Sequence, residues 1–334
     1  MIAFLTLDHG TLGAIEDGLL VGFVSSALAA PFLYRGLLAI KARQTVSEYL
    51  PEHQAKQGTP TMGGLIVLVG IVVGWLYFKE VETDVLPFLY LIIGFAAVGL
   101  LDDYLVPRFR TGNKGLAWLP KLALQFGVAA PVLWFSGYDT LLLCLGAAVL
   151  VVGASNAFNF ADGMDGLAGG LAIILFLGLA MLAVLWGAPA KITGICFASA
   201  GAILPFLFLN APPAKLFMGD VGSLSIGAGL GWLALKAHPE AASGSAFAVA
   251  WAVPIAVLGL VLAAELIPVP LQILSVKLRK KRFFPMTPIH HAFQSAGWPE
   301  TRVVSMFLVL QAVAAALAIK VAMDLSPAVW RLPE

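Results

Sequence analysis

The sequence predicts an all-α, polytopic membrane fold of about ten transmembrane helices, the ninth kinked or broken, with both termini on the outer side. Three observations predict it. Of 334 residues, 60% are hydrophobic and 12% charged, and the mean hydropathy is +0.92, so lipid rather than water is the main solvent. Apolar stretches long enough to cross a bilayer follow one another with only short polar breaks. Lys and Arg, finally, divide sharply between alternate loops.

The first apolar run, 18–41, follows a start that holds Asp8, Glu16 and Asp17 but neither Lys nor Arg, unlike a cleavable signal peptide, and is expected to remain a helix. The spans after it cover 61–78, 85–101, 119–136, 139–158, 168–187, 192–209, 222–237, 246–274 and 303–324. They read as one domain, 1–334, with functional loops 42–60, 102–118, 159–167, 210–221 and 275–302 on one face. The loops and loop-flanking ends on that face hold 15 of the 20 basic residues, which makes it the cytoplasmic face; Lys79, Lys191, Lys236, Lys320 and Arg331 lie on the other. The basic residues need no nucleic acid to explain them, since anionic membrane lipids are sufficient partners.

The ninth span is too long for one straight helix and contains Pro254, Pro268 and Pro270, hence the expected interruption. It also contains Glu265, which is either a functional carboxylate facing a protein interior or a helix-end acid near the interface. Cys144 and Cys196 lie inside apolar runs without metal-ligand spacing and read as packing residues.

Sorting the acids by side brings out the chemistry. Asp102 and Asp103 end the third span, Asp162 and Asp165 follow the fifth, and Asp220 precedes the eighth, all on the cytoplasmic face. Each stands among glycines and asparagines: Asn156, Asn159, Asp162-Gly163-Met164-Asp165-Gly166, then Asn210 and Met218-Gly219-Asp220. Any one of them alone is explained by a helix cap or a solvated loop end. Five on one face suit Mg²⁺ on a diphosphate, where carboxylate and phosphate oxygens bind the metal and cations neutralise what remains. Adjacent carboxylates such as Asp102-Asp103 repel unless something compensates, and Lys114 and Lys121 are near in sequence.

Lys56 precedes Gly58-Thr59-Pro60-Thr61-Met62-Gly63-Gly64, where backbone can approach a ligand at a helix start, or simply turn into the helix. The last cytoplasmic loop carries Pro288-Ile289-His290-His291 and Gly297-Trp298-Pro299-Glu300. With no Cys or third His beside them, the two histidines suit hydrogen bonding to phosphate better than zinc.

In these motifs the chain resembles the polyprenyl-phosphate N-acetylhexosamine-1-phosphate transferases, from Gly58-Thr59-Pro60-Thr61 through Asp102-Asp103-Tyr104, Asn156 to Ala168 and Phe217 to Leu224, to the histidine loop. The histidines followed by Gly-Trp-Pro-Glu look like the phospho-N-acetylmuramoyl-pentapeptide-transferase branch. The resemblance implies a bacterial inner-membrane enzyme of peptidoglycan synthesis. It would transfer phospho-MurNAc-pentapeptide from UDP-MurNAc-pentapeptide to undecaprenyl phosphate with Mg²⁺, giving lipid I and UMP. By the same resemblance Asp220 would bind Mg²⁺, Asp102 would activate the lipid phosphate with Asp103 beside it, and Lys121 and His290 would steady the phosphates. Asn159, Asp162 and Asp165 would serve the nucleotide, with Asn210, Phe217 and His291 placing uridine, Phe217 by stacking; Lys56, Thr59, Asn156 and Gly163 complete the expected substrate contacts. Ala292 and Gln294 depart from the family, which usually has a histidine and an acid there. A homodimer is compatible with the sequence.

Two other classes share some of these features. A sister transferase using UDP-GlcNAc has the same aspartates, but the histidine and Gly-Trp tail argues against it. An ion-coupled transporter would set its acids near mid-membrane within inverted repeats, whereas these crowd one face.

Overall fold

The computed structural model describes residues 9–40, 58–78, 86–109, 115–237 and 245–325, with 245–249 in backbone only. The described residues build an all-helical bundle. In chain order the helices are α1 (His9–Ala39), α2 (Gly64–Tyr77), α3 (Leu86–Phe109), α4 (Trp118–Trp134), α5 (Leu141–Ala161), α6 (Leu167–Leu185) and α7 (Ala190–Asn210). They continue with α8 (Gly219–Lys236), α9 (Ser245–Leu258), α10 (Leu260–Leu266), α11 (Pro268–Arg279), α12 (Ile289–Ser295) and α13 (Glu300–Leu325).

Seven stretches among the described residues are long and apolar enough to cross a membrane: α1, α3, α5, α6, α7, the continuous α10 and α11, and α13. Helix α2 is apolar but only 14 residues long, and α4 has 17. Helix α8 is diluted by Gly222, Ser223, Ser225, Gly227, Gly229 and Gly231, yet almost all of its length is buried. Its solvent is other helices rather than lipid.

That burial explains the glycines. Helix α8 packs between α3 and α5, with α2 against its first turn. A Cβ on Gly64 would lie 2.1 Å from Cα of Gly222, and one on Gly99 2.4 Å from the carbonyl carbon of Asp220. Small residues let helix backbones approach this closely where no hydrophobic effect drives helices together. Large apolar side chains, with Trp232, Phe88 and Phe95 wholly buried, fill the space further along. Exposed Leu142, Phe135 and Phe32 line the outer surface, as a lipid-facing exterior requires.

The interruption expected in the ninth span lies at Gly259 and Ile267. The chain stays helical through both joints, because Gly259 N–H donates to Ile255 O at 2.9 Å and Ile267 N–H to Ala263 O at 2.9 Å. Pro268 opens α11 at a position where its missing N–H costs least. Gln311 of α13 donates from Nε2 to Leu258 O at 2.9 Å, holding a carbonyl at the first joint.

Candidate active site

The acids converge because several helices end at one face. Helix α3 finishes in a π-helical turn, Leu101–Leu105, closed by a hydrogen bond from Val106 N–H to Leu101 O. The wider turn holds Asp102 and Asp103 together at the helix mouth; such turns recur at functional sites. Helix α4 supplies Lys121 from its first turn, α5 supplies Asn156 and Asn159 from its last two, and α8 supplies Asp220 from its first.

Lys121 joins the set. Its Nζ lies 2.9 Å from Asp102 Oδ2 and is also hydrogen-bonded to Asp220 Oδ2. Asn159 donates from Nδ2 to Asp220 Oδ1 and to Ser223 Oγ, each at 2.8 Å. Asp103 Oδ2 accepts from Val221 N–H at 3.2 Å, and Asp102 Oδ1 from Leu116 N–H. Gly219, at φ +72°, turns the chain into α8; a Cβ there would meet Asp103 Oδ2 at 2.6 Å and Thr61 Oγ1 at 2.7 Å.

The electrostatics follow from crowding. Burial pushes the Asp162 carboxyl well above the usual carboxylate range, and the negative charges of Asp220, Asp103 and Asp165 push it further. Burial acts on Asp220 in the same direction, but Lys121 and the hydrogen bonds from its neighbours prevail and hold it below the usual range. The same lysine therefore favours the charged form of Asp220, whereas at Asp162 a backbone hydrogen bond from Gly219 opposes burial and repulsion without prevailing.

Next to this cluster stands the histidine pair. The rings of His290 and His291 lie 4.1 Å apart, and a Cβ on Gly163 would sit 2.3 Å from His290 Nε2 and 3.3 Å from His291 Nε2. Only a glycine fits between Asp162 and these rings. His291 Nδ1 and Gln294 Oε1 are 2.8 Å apart, so Gln294 directly orients the second histidine.

Other expected site residues tie the loops together. Asp165 Oδ2 accepts from Ala214 N–H at 2.9 Å, and its own N–H donates to Glu300 Oε1 at 2.8 Å. Buried Asn210 accepts from Gly166 N–H at 3.0 Å and donates to Leu216 O at 3.0 Å. Phe217 shares a short backbone pairing with the Thr59 segment, donating to Pro60 O at 2.9 Å and accepting from Gly63 N–H at 2.8 Å. Thr59 is half-buried beside it. Asn156 donates to Gln125 Oε1 at 2.5 Å. Lys56, Lys114 and most of loop 42–60 lie outside the described residues.

Gln125, Ser223 and Glu300 take roles in the fold that the sequence does not disclose. A polar residue inside an apolar run, one helical turn from Lys121, is the signal that the sequence offers for Gln125, which is buried in the fold; nothing local identifies the partners of the other two.

An apolar cavity of about 490 Å³ opens between α5, α8 and the interrupted α9–α10 segment. Ala157, Leu175, Trp251, Ile255 and Leu266 are among its walls, and Ala157 stands two residues from Asn159 on α5. The molecule thus holds both an apolar groove and a polar cluster of carboxylates, amides and one ammonium, and α5 and α8 contribute to each. That combination handles a charged headgroup carried on a lipid.

Such a fold and site suit a membrane-embedded transferase, and residues 85–238 match the sequence model of Glycosyl transferase family 4. Residues 56–68 match the phospho-N-acetylmuramoyl-pentapeptide-transferase signature 1. The chain is 37% identical to the phospho-N-acetylmuramoyl-pentapeptide-transferase of Moorella thermoacetica over 89% of its own length and 95% of that protein's. Against the Bacillus subtilis enzyme of the same name it is 35% identical, covering 86% and 92%, and against that of Acinetobacter baylyi 32%, covering 93% and 91%. The chain belongs to the phospho-N-acetylmuramoyl-pentapeptide-transferase family.

Proposed function

We propose that this protein transfers phospho-MurNAc-pentapeptide from UDP-MurNAc-pentapeptide to undecaprenyl phosphate, producing lipid I and UMP for peptidoglycan. The observation that carries the reading is Lys121 bridging Asp102 and Asp220, in a chain of this family that also holds an apolar groove between α5, α8 and α10. The groove suits the isoprenoid and the polar cluster the diphosphate. An oxygen of undecaprenyl phosphate forms a bond to the phosphorus attached to MurNAc, and the bond from that phosphorus to the bridging oxygen breaks. The electron pair leaves on UMP.

Phosphoryl transfer asks a protein mainly for in-line placement and charge neutralisation. Asp102 is assigned to activation of the lipid phosphate, with Asp103 beside it, and Lys121 and His290 to steadying the phosphates. Asn159, Asp162 and Asp165 are assigned to the nucleotide side, Asn210, Phe217 and His291 to placing uridine, and Lys56, Thr59, Asn156 and Gly163 to further substrate contacts. A route through an aspartyl phosphate uses the same residues, and trapping a phosphorylated Asp102 would distinguish it.

The residues also fit Mg²⁺, with Asp220 as its protein ligand. Among the described residues no three His, Cys, Asp or Glu side chains form a ready metal cage, and Mg²⁺ does not need one. It is held through one or two carboxylates plus substrate phosphates and water. The support for it is charge: the lysine touches Asp102 and Asp220, while Asp103 and Asp162 add two more carboxyls that feel the charge of Asp220. When bound, the ion would withdraw charge from the diphosphate as a Lewis acid.

In this reading about ten helices span the bilayer, with the site facing the cytoplasm and both termini outward, as the sorting of basic residues supports. The purified protein in detergent, given Mg²⁺, undecaprenyl phosphate and UDP-MurNAc-pentapeptide, is expected to release UMP. UDP-GlcNAc in its place is expected to release none. Release from UDP-GlcNAc alone would reassign the donor, and none from either would sink the reading.

A further inference from the structure

Glu265 lies on α10, inside the interrupted segment, and is fully buried. A carboxylate in an apolar bundle is costly unless it is partnered. Its hydrogen bonds run to a single residue from another part of the chain. The backbone N–H of His290 donates to Glu265 Oε1 at 3.2 Å, and His290 Nδ1 lies 3.0 Å from Glu265 Oε2. A carboxylate oxygen is an acceptor, and with Glu265 in that form Nδ1 carries the hydrogen of the bond.

The other ring nitrogen is left for a different task. His290 Nε2 is buried without a hydrogen-bond partner and points at Gly163, where an added Cβ would stand 2.3 Å away. Gly163 directly follows Asp162, so Nε2 borders the carboxylate cluster. Once the hydrogen on Nδ1 is committed to Glu265, Nε2 of a neutral ring accepts and Nε2 of a cationic ring donates. Its direction is set by Glu265 in both cases.

We infer that Glu265 is a positioning residue for the proposed transfer: its two-point grip on the backbone and ring of His290 aims Nε2 at the diphosphate beside Gly163. The inference rests on the reading under Proposed function and deepens it. The same grip pins α12 against α10, so a purely structural role is the alternative the test must separate.

Glu265→Gln keeps the shape of the side chain but replaces one of its two acceptor oxygens with a donor, so the two bonds can no longer both be made in the same way. Turnover of UMP release is expected to fall about 10²-fold in Glu265→Gln and Glu265→Ala. KM for both substrates should stay near wild type, and the pH profile of kcat should change shape. Glu265→Ala combined with His290→Ala should be no slower than His290→Ala alone, because both changes remove one function. Unfolding temperature is followed for every variant, and if Glu265→Ala does not fold, Glu265→Gln paired with His290→Gln completes the same cycle. Wild-type turnover and pH profile in Glu265→Gln, or losses that multiply in the double variant, would overturn the inference alone. A wild-type protein that releases no UMP would overturn both the transfer and the role built on it.

Discussion

Lys121 Nζ stands 2.9 Å from Asp102 Oδ2, reaching across from α4 to the π-turn of α3, while also holding Asp220 of α8. One ammonium thus sets the spacing of two carboxylates that arrive from different helices. Lys121→Met keeps most of the stem but removes the charge, leaving both acids to repel in a half-buried site. UMP release is expected to fall by about 10³-fold, the scale of removing a preorganised electrostatic group. Lys121→Arg should recover only part of it, because a planar guanidinium does not replace a compact ammonium between two oxygens. Turnover above a tenth of wild type in Lys121→Met would remove the lysine from the mechanism.

If Asp220 holds Mg²⁺, binding should be visible without turnover. A ligand that binds only the folded state stabilises it by about 2.7 kcal/mol at a hundredfold excess over its Kd. Mg²⁺ titrated into the detergent-solubilised protein is therefore expected to raise the unfolding temperature. Asp220→Asn should abolish that rise while leaving a folded protein. An undiminished rise in the variant would move the metal to another carboxylate, with Asp162 the first to examine.

The two glycine crossings make a different kind of prediction. Gly99 lies one helical turn before Asp102, and a Cβ on it would come within 2.4 Å of the Asp220 backbone. Backbone cannot swing away as a side chain can. Gly99→Ala should destabilise by about 1–3 kcal/mol, as overpacking does, and lower turnover by shifting Asp220 relative to Asp102. Gly127→Ala on α4 has nothing within 4 Å of the new methyl and serves as the control; it should be neutral in both measurements. Equal behaviour of the two would mean that α3 and α8 are not held in register by this contact.

What the sequence disclosed differs between fold and site for a physical reason. Helices in lipid satisfy their own backbone, so a helix is legible from a local apolar run, and α1, α3, α5 to α7 and α13 stand where the runs are. Helix α8 is less legible by hydropathy because its Gly and Ser residues serve packing against α2, α3 and α5. The aspartates are conspicuous because charge is rare in such a chain. Their partners are not, since Asn159 meets Asp220 across 61 residues and Asp103 meets Val221 N–H across 118. Asp165 and Asn210 illustrate the same gap: their residue types fit a ligand site, while their visible bonds clamp the α5–α6 turn to the loop before α8. Glu265 could be read as buried and costly, but His290 as its partner emerges only from the fold.

The orientation of the bundle rests on where lysines and arginines fall, and it can be measured directly. Ser295, at the end of α12 by the histidines, and Asp139, between α4 and α5, are both exposed and lie at opposite ends of the bundle by the order of the helices. Cys144 and Cys196 are buried, and exchanging both for Ala leaves a background in which one new thiol can be followed. In intact cells a membrane-impermeant maleimide should label Asp139→Cys and spare Ser295→Cys; permeabilisation should expose the second. The reverse pattern would put the carboxylate cluster on the outer face, away from any cytosolic nucleotide donor. Labelling of both in intact cells would mean that the two loops share a side and would overturn the proposed five crossings between them.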